Sequence, residues 1–205
     1  MIYLIITTSI IDRRFETPLS SQELRENQYK TGILSALDKI KGTDIIPIIV
    51  ENNGKRSTFL DDFGIDILYT DTNNSARYYG NKELEDIFNV IKHYNIHDDD
   101  MIIKFTGRYF MSHSCFIEEI IKNPDNDCFL RFGSFFNPVN YPMSDCITGL
   151  IAMRCKYIKQ IEFVPDINAS IEWNWAKVAS SIEKRKIVDR LGFICYAYRH
   201  SDLIL

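Results

Sequence analysis

Short apolar runs separated by polar clusters give the first half of the chain a repeating pattern. Residues 2–7 form a continuous apolar stretch bounded by polar positions, which predicts a central strand covered on both faces. Over residues 20–40, Leu24, Tyr29, Ile33, Leu34 and Leu37 recur with a helical period. Ser20 or Ser21 can cap that helix, Glu23 stands three positions after Ser20, and Lys41-Gly42 closes it. Residues 44–50 predict a second buried strand that opens into Glu51-Asn52-Asn53-Gly54. A helical turn over 58–63 and a third strand over 65–69 follow, the latter ending in Asp71-Thr72-Asn73-Asn74. Residues 81–94 then form an amphipathic helix, with Leu84, Ile87, Phe88 and Ile91 on one face.

A fourth strand, 101–105, follows Asp98-Asp99-Asp100 and runs into Thr106-Gly107-Arg108-Tyr109. Beyond it the alternation decays. Expected here are a helix over 114–122, a strand over 128–132, a loop over 133–142, a strand over 147–153, a short helix over 156–161, and helices over 171–182 and 184–191. The second half therefore reads as mixed and partly antiparallel.

Composition narrows the picture. A chain of 205 residues with 45% hydrophobic content can bury one substantial core, so residues 1–205 read as a single domain. A net charge of −4 and a pI near 5.6 argue against a nucleic-acid partner, so an anionic ligand must be held by local basic groups. Cys115, Cys128, Cys146, Cys155 and Cys195 are odd in number and form no CxxC pair, which suits buried thiols in a reducing, cytoplasmic setting. No apolar run approaches the roughly 20 residues of a membrane span.

Strand ends that open into polar loops are where open α/β sheets bind ligands. The sequence has neither GxGxxG after its first strand nor GxxxxGK[ST], which counts against dinucleotide and P-loop folds. It also lacks the glycine-rich, arginine-bearing loop with which nucleotidyltransferases hold a triphosphate. The succession of ITTS, VENNG, YTDTN with NKELEDI, and DDDMIIKFTGRYF resembles GT-A glycosyltransferases, especially polysaccharide-synthesis members with a KxTGRY-like segment. The resemblance covers most of the chain in layout, while only KFTGRY is distinctive in its letters.

That resemblance implies an α/β fold with a GT-A-like, Rossmann-type mixed sheet and helices on both faces. Residues 1–110 would form the nucleotide-sugar-binding half and 111–205 the acceptor-binding half. The implied reaction is sugar transfer from a UDP, GDP or dTDP sugar to a glycan, glycoprotein or small acceptor, with inversion. A sugar nucleotidyltransferase and a non-catalytic glycan- or partner-binding domain are the alternatives.

GT-A enzymes usually end the fourth strand with Asp-x-Asp, which holds Mn²⁺ or Mg²⁺ against the diphosphate. Here Lys104, Thr106, Gly107 and Arg108 occupy that place. Arg108 can bind a diphosphate bidentately, Lys104 adds a point charge, and Gly107 permits close backbone approach. No cofactor is then required, although Mn²⁺ or Mg²⁺ is admissible. Asp98-Asp99-Asp100 contains a literal Asp-x-Asp, but it precedes its strand and reads as a solvated turn.

Thr7, Thr8, Glu51, Asn52, Asp71, Asn73, Asn81 and Lys82 can contact base, ribose and phosphate, with Arg13, Arg14 and Arg25 as further phosphate ligands. Glu172 falls where the family's catalytic base would stand, a role worth roughly 10²- to 10⁴-fold in rate. Trp173 replaces the acidic residue expected next to it. Asp145 is the reserve carboxylate, and Trp173 and Trp175 are candidates for stacking on sugar rings. His93, His97, His113 and His200 show no ligand spacing and read as structural.

Overall fold

In the computed structural model, described for residues 1–11, 19–54, 56–74, 79–133, 143–165, 169–196 and 202–204, the apolar runs of the first half become the centre of a parallel sheet. β1 (Ile2–Thr8) pairs in parallel with β2 (Ile45–Glu51) on one side and with β4 (Met101–Thr106) on the other, and β3 (Asp66–Tyr69) extends the β2 edge. Leu4, Ile5 and Ile6 are fully buried, as a strand covered on both faces requires. The parallel register brings Thr7, Val50 and Thr106 level, so the ends of these strands open on one edge.

α1 (Leu19–Ile40) and α2 (Tyr79–His93) make the crossovers. The buried stripe of α1 is Tyr29, Ile33, Ala36 and Ile40. Leu24 and Leu34, expected on that face, are exposed because they fall off this 4-3-4 spacing. The helix also includes Leu19, which puts Ser20 inside its first turn and not at a cap position. Between β2 and β3, Thr58 caps a 3-10 turn over Phe59–Phe63 in a reciprocal arrangement with Asp61. A second 3-10 turn, Thr72–Asn74, leads toward α2.

The second half changes direction, as its decaying alternation suggested. β5 (Phe110–Met111) leaves the main sheet, and α3 (Cys115–Lys122) leads to β6 (Cys128–Leu130). β7 (Leu150–Arg154) runs antiparallel to both β4 and β6. α4 (Cys155–Ile158) and α5 (Ile171–Ser181) follow.

Residues 184–191 are not the expected helix. They contain β8 (Arg185–Ile187), which pairs in parallel with β6, followed by a turn whose Gly192 has φ 78°. The non-local ladder to β6 overrides the local apolar spacing of that segment. β9 (Phe193–Tyr196) and β10 (Asp202–Ile204), which the pattern did not reveal, join β5 in a small antiparallel sheet.

Among the described residues the large sheet has the order β3-β2-β1-β4-β7-β6-β8. One core lies between this sheet and α1, α3 and the small sheet, and the other lies under α2, α4 and α5. The chain is thus a single-domain α/β protein with a seven-stranded mixed sheet flanked by helices. None of its described helices is long and apolar enough to cross a membrane.

Candidate functional site

At the C-terminal ends of β1, β2 and β4 a cleft of about 250 Å³ is lined by residues from α1, α2 and α5 as well as by the strand ends. Two close approaches bring these walls together. A Cβ on Gly107 would lie 2.9 Å from Ile6 Cγ2 and 3.1 Å from the Thr7 carbonyl, so its missing side chain lets the β4 exit lie against β1. A Cβ on Gly80 would lie 2.2 Å from Ile171 Cγ2, so the start of α2 touches the start of α5. Gly107 thus admits the chain's own backbone, and its amide donates to the Thr7 carbonyl at 3.0 Å.

Arg25, Lys82 and Arg108 bring positive charge to the cleft, and Glu83, Asp86 and Glu172 bring carboxylates. Arg25 donates through Nε to the Ser9 carbonyl at 2.7 Å and lies over the Tyr29 ring. The Tyr29 hydroxyl is pushed above its ordinary range by burial, opposed by Arg25 and Arg108, which both act on it. Arg108 lies over the ring of Tyr109, which itself stacks on Phe193 at 5.4 Å. Lys82 Nζ donates to the Asn73 carbonyl at 2.8 Å.

Lys104 is 2% exposed, and its ammonium is engaged with Thr106 Oγ1 (2.8 Å), the Thr148 carbonyl (2.6 Å) and Glu83 (2.9 Å). All three of its donors are therefore taken up by groups of the protein itself, on residues that line the cleft. Glu83 also accepts from Thr7 Oγ1 and, at 3.1 Å, from Thr106 Oγ1. Burial alone would raise the Glu83 carboxyl, but Lys104 and the hydroxyls outweigh it and hold the group below its ordinary value. Lys104 and Glu83 together fix the strand ends under the cleft.

Asp86 is fully buried. Thr70 donates to it at 2.7 Å, Thr72 at 2.5 Å and Asn52 Nδ2 at 3.1 Å. Burial raises this carboxyl to about 7 against the pull of those neutral donors. Asn52 Oδ1 is buried without a hydrogen-bond partner among the described residues, an arrangement that costs about 1–3 kcal/mol if it stays unmet.

The other sequence candidates fall in different places. Thr7, Thr8, Asn52, Asn73, Lys82, Thr106, Arg108 and Glu172 line the cleft. Glu51 is fully buried, accepting from Thr8 Oγ1 at 2.7 Å, from the Ile10 amide, and from Asn53 Nδ2 at 2.6 Å. It ties the β1 and β2 exits together and does not line the cleft. Asn81 uses its carboxamide on the Val164 backbone in both directions, at 2.8 and 2.9 Å. Asp71 is exposed and accepts from Asn74.

Glu172 stands in the first turn of α5, where Ser170 Oγ donates to it and Thr148 Oγ1 donates at 3.3 Å. Asp145 lies outside the cleft lining. Its carboxyl is raised by burial, opposed by the Cys146 amide and reinforced by Glu172. Trp173 is half exposed whereas Trp175 is in the core. Arg13, Arg14, His200 and the loop over 134–142 lie outside the described residues. Asp98, Asp99 and Asp100 sit before β4, at the opposite edge from the cleft, paired with Lys159, Lys156 and the N-terminal ammonium.

Sequence reasoning passed over Glu83 and Asp86. The signal was present: they stand four residues before the buried Ile87 and Val90, so the face of α2 turned toward the sheet carries acids where apolar residues are expected. The described residues contain no group of three or more side chains suited to hold a metal ion, and Glu83 is occupied by Lys104.

No family model matches the chain, and no curated protein matches it in sequence. Its fold is nevertheless shared with solved structures. A CMP:2-keto-3-deoxy-manno-octonic acid synthetase complexed with CTP superposes with a TM-score of 0.53 at 10% identity, over 91% of this chain and 89% of that one. A structure assigned as a nucleotide-diphospho-sugar transferase, from Desulfovibrio desulfuricans G20, gives 0.52 at 8% identity, over 87% and 74%. The bifunctional IspDF of Campylobacter jejuni gives 0.52 at 12%, over 91% of this chain and 49% of that one. The architecture is that of nucleotide-diphospho-sugar transferase-like folds.

Proposed function

We propose that the protein is an enzyme of nucleotide-sugar chemistry whose cleft takes a nucleotide, and that it transfers a nucleotidyl group to a sugar. The observation that carries this reading is the meeting of Arg25, Lys82 and Arg108 with Glu172 in one cleft at the ends of β1, β2 and β4. Open α/β sheets bind ligands at this edge, and guanidinium groups match phosphate oxygens bidentately. The shared fold with a CTP-bound sugar synthetase supports CTP as the first nucleotide to test.

In the proposed reaction a sugar hydroxyl attacks the α-phosphorus, the bond to the β-phosphate oxygen breaks, and pyrophosphate leaves. Arg25 and Arg108 would stabilise charge developing on the phosphates, and Glu172 would accept the hydroxyl proton.

Glycosyl transfer from a nucleoside-diphosphate sugar is the second reading. It is favoured by the absence of glycine between Thr8 and Leu19, where a triphosphate-binding loop would need it, and by the place of Glu172 in the cleft lining, from which it could serve as base toward an acceptor. Residues 1–110 would then hold the donor and 111–205 the acceptor.

The test is to incubate the protein with CTP and a 2-keto-3-deoxy sugar acid and follow pyrophosphate, then with UDP-, GDP- and dTDP-sugars and follow nucleoside diphosphate. Pyrophosphate release that needs both substrates, and falls roughly 100-fold in kcat/KM in Arg108→Ala, is expected. Nucleoside diphosphate release alone transfers the assignment to glycosyl transfer, and turnover of neither set overturns both.

A further inference from the structure

Neither reaction above uses the pair formed by Asn52 and Asp86. Asn52 follows the last residue of β2, Asp86 lies on α2, and both line the cleft. Asn52 Nδ2 donates to Asp86 Oδ2 at 3.1 Å, its backbone carbonyl accepts from the Asn73 amide at 3.0 Å, and its side-chain Oδ1 is unmet. Thr70 and Thr72 both donate to the other Asp86 oxygen, and no described cation pairs with that carboxylate.

A carboxamide has one donor end and one acceptor end, whereas an ionised carboxylate can only accept. With Asp86 ionised, Asn52 must turn its N–H₂ toward it. The carbonyl oxygen is then the end of the amide left for a ligand. With Asp86 protonated, the carboxyl can donate to Asn52 Oδ1, the amide turns over, and the N–H₂ end is left instead.

We propose that Asn52 reads the hydrogen-bonding edge of the nucleobase and that the protonation state of Asp86 decides which edge is accepted. The inference rests on the nucleotide reading of the same cleft. Cytosine carries an amino donor where uracil carries a carbonyl acceptor, so ionised Asp86 favours cytosine and protonated Asp86 favours uracil.

Burial, opposed by the Thr72, Thr70 and Asn52 donors, brings the Asp86 carboxyl to about 7, so both forms are populated near neutrality. The charged groups on the elements around it are few. Glu83 and Glu85 share its helix, Glu83 being paired with Lys104 of β4, and Lys82 is held at the Asn73 carbonyl. Glu51 of β2 sits in its own shell of donors, Asp71 is exposed, and Glu172 belongs to α5. Of these, Glu83 raises the Asp86 carboxyl further.

The experiment is calorimetric binding of CTP and of UTP between about pH 5.5 and 8.5. Taking the ratio of the two dissociation constants removes phosphate protonation, which both ligands share. In the unmodified protein the preference for CTP is expected to grow roughly tenfold as pH rises through 7. Asp86→Asn should bind both with a pH-independent ratio, and Asn52→Ala should bring that ratio close to one. A ratio that stays constant with pH in the unmodified protein, with both nucleotides bound, overturns the inference and leaves the nucleotide reading standing. Binding of neither nucleotide removes the pyrimidine ribonucleotide reading of the cleft and this inference with it.

Discussion

Glu83 and Asp86 stand three residues apart on α2, both accept hydrogen bonds from threonines, and both line the cleft, yet their carboxyls move in opposite directions. The difference is Lys104. For Glu83 an ammonium at 2.9 Å offsets the cost of leaving water. For Asp86 the donors are two hydroxyls and an amide, and neutral dipoles do not offset burial. A salt-bridged carboxylate is thereby a fixed structural charge, whereas one ringed by neutral donors can change its protonation near physiological pH.

The strongest way to break this contrast is to remove the ammonium. Lys104→Met leaves Glu83 at the cleft floor without a cation and deprives the Thr148 carbonyl of its donor. A loss of about 3 kcal/mol is expected in urea unfolding at neutral pH. Adding Glu83→Gln should recover part of it, because the uncompensated charge is then gone. Full stability in Lys104→Met would mean that the pair holds nothing together.

An effect that is smaller per pH unit separates the two carboxylates by pH. Asp86 is raised in the folded state above its ordinary 3.8, so the folded form holds a proton that the unfolded chain has released between about pH 4 and 7. Stability from this group is complete below that window and declines as pH rises to 7, by on the order of 1.4 kcal/mol per pH unit at most. Glu83 has the opposite sign: its contribution is present above its unfolded value of 4.5 and is lost as pH falls through its lowered folded value. Asp86→Asn should flatten the unfolding free energy between pH 4 and 7 and leave the acid-side loss unchanged. If the slope persists in that variant, the titrating group lies elsewhere.

The smallest change refines the account of Asp86 itself. Thr72→Val keeps the side-chain shape and deletes one donor, which should cost about 1 kcal/mol and move the pH dependence upward. NMR titration of the Asp86 carboxyl carbon would register the move. A downward move would contradict the role of Thr72 as a donor to the ionised form.

Much of the first half was legible because its signals are local. Each of the four parallel strands starts and ends within one residue of its expected bounds, since a run such as residues 2–7 is apolar on both faces and has hardly any other use. The 184–191 segment was misread because its strand exists only through pairing with β6, about 55 residues earlier in the chain. Lys104 shows the same limit within the site. Its position at a strand end suggested a phosphate ligand, but the sequence does not record that Glu83, Thr106 and the Thr148 carbonyl converge on it from three elements. Glu51 and Asn81 likewise look like loop ligands until the backbone groups that they satisfy are brought to them.

By itself the sequence determined the alternation of strands and helices, the edge at which a ligand cleft would open, and the basic residue Arg108 that reaches it, because periodicity and turn chemistry act over a few residues. The tertiary structure decided which polar groups face that cleft and which are used up inside, and which acid acquires a cation and which does not. Those outcomes depend on distances between side chains that are far apart in the chain, and a change of an ångström or two in such a distance, or a neutral donor in place of an ammonium, moves a buried carboxyl in one direction or the other.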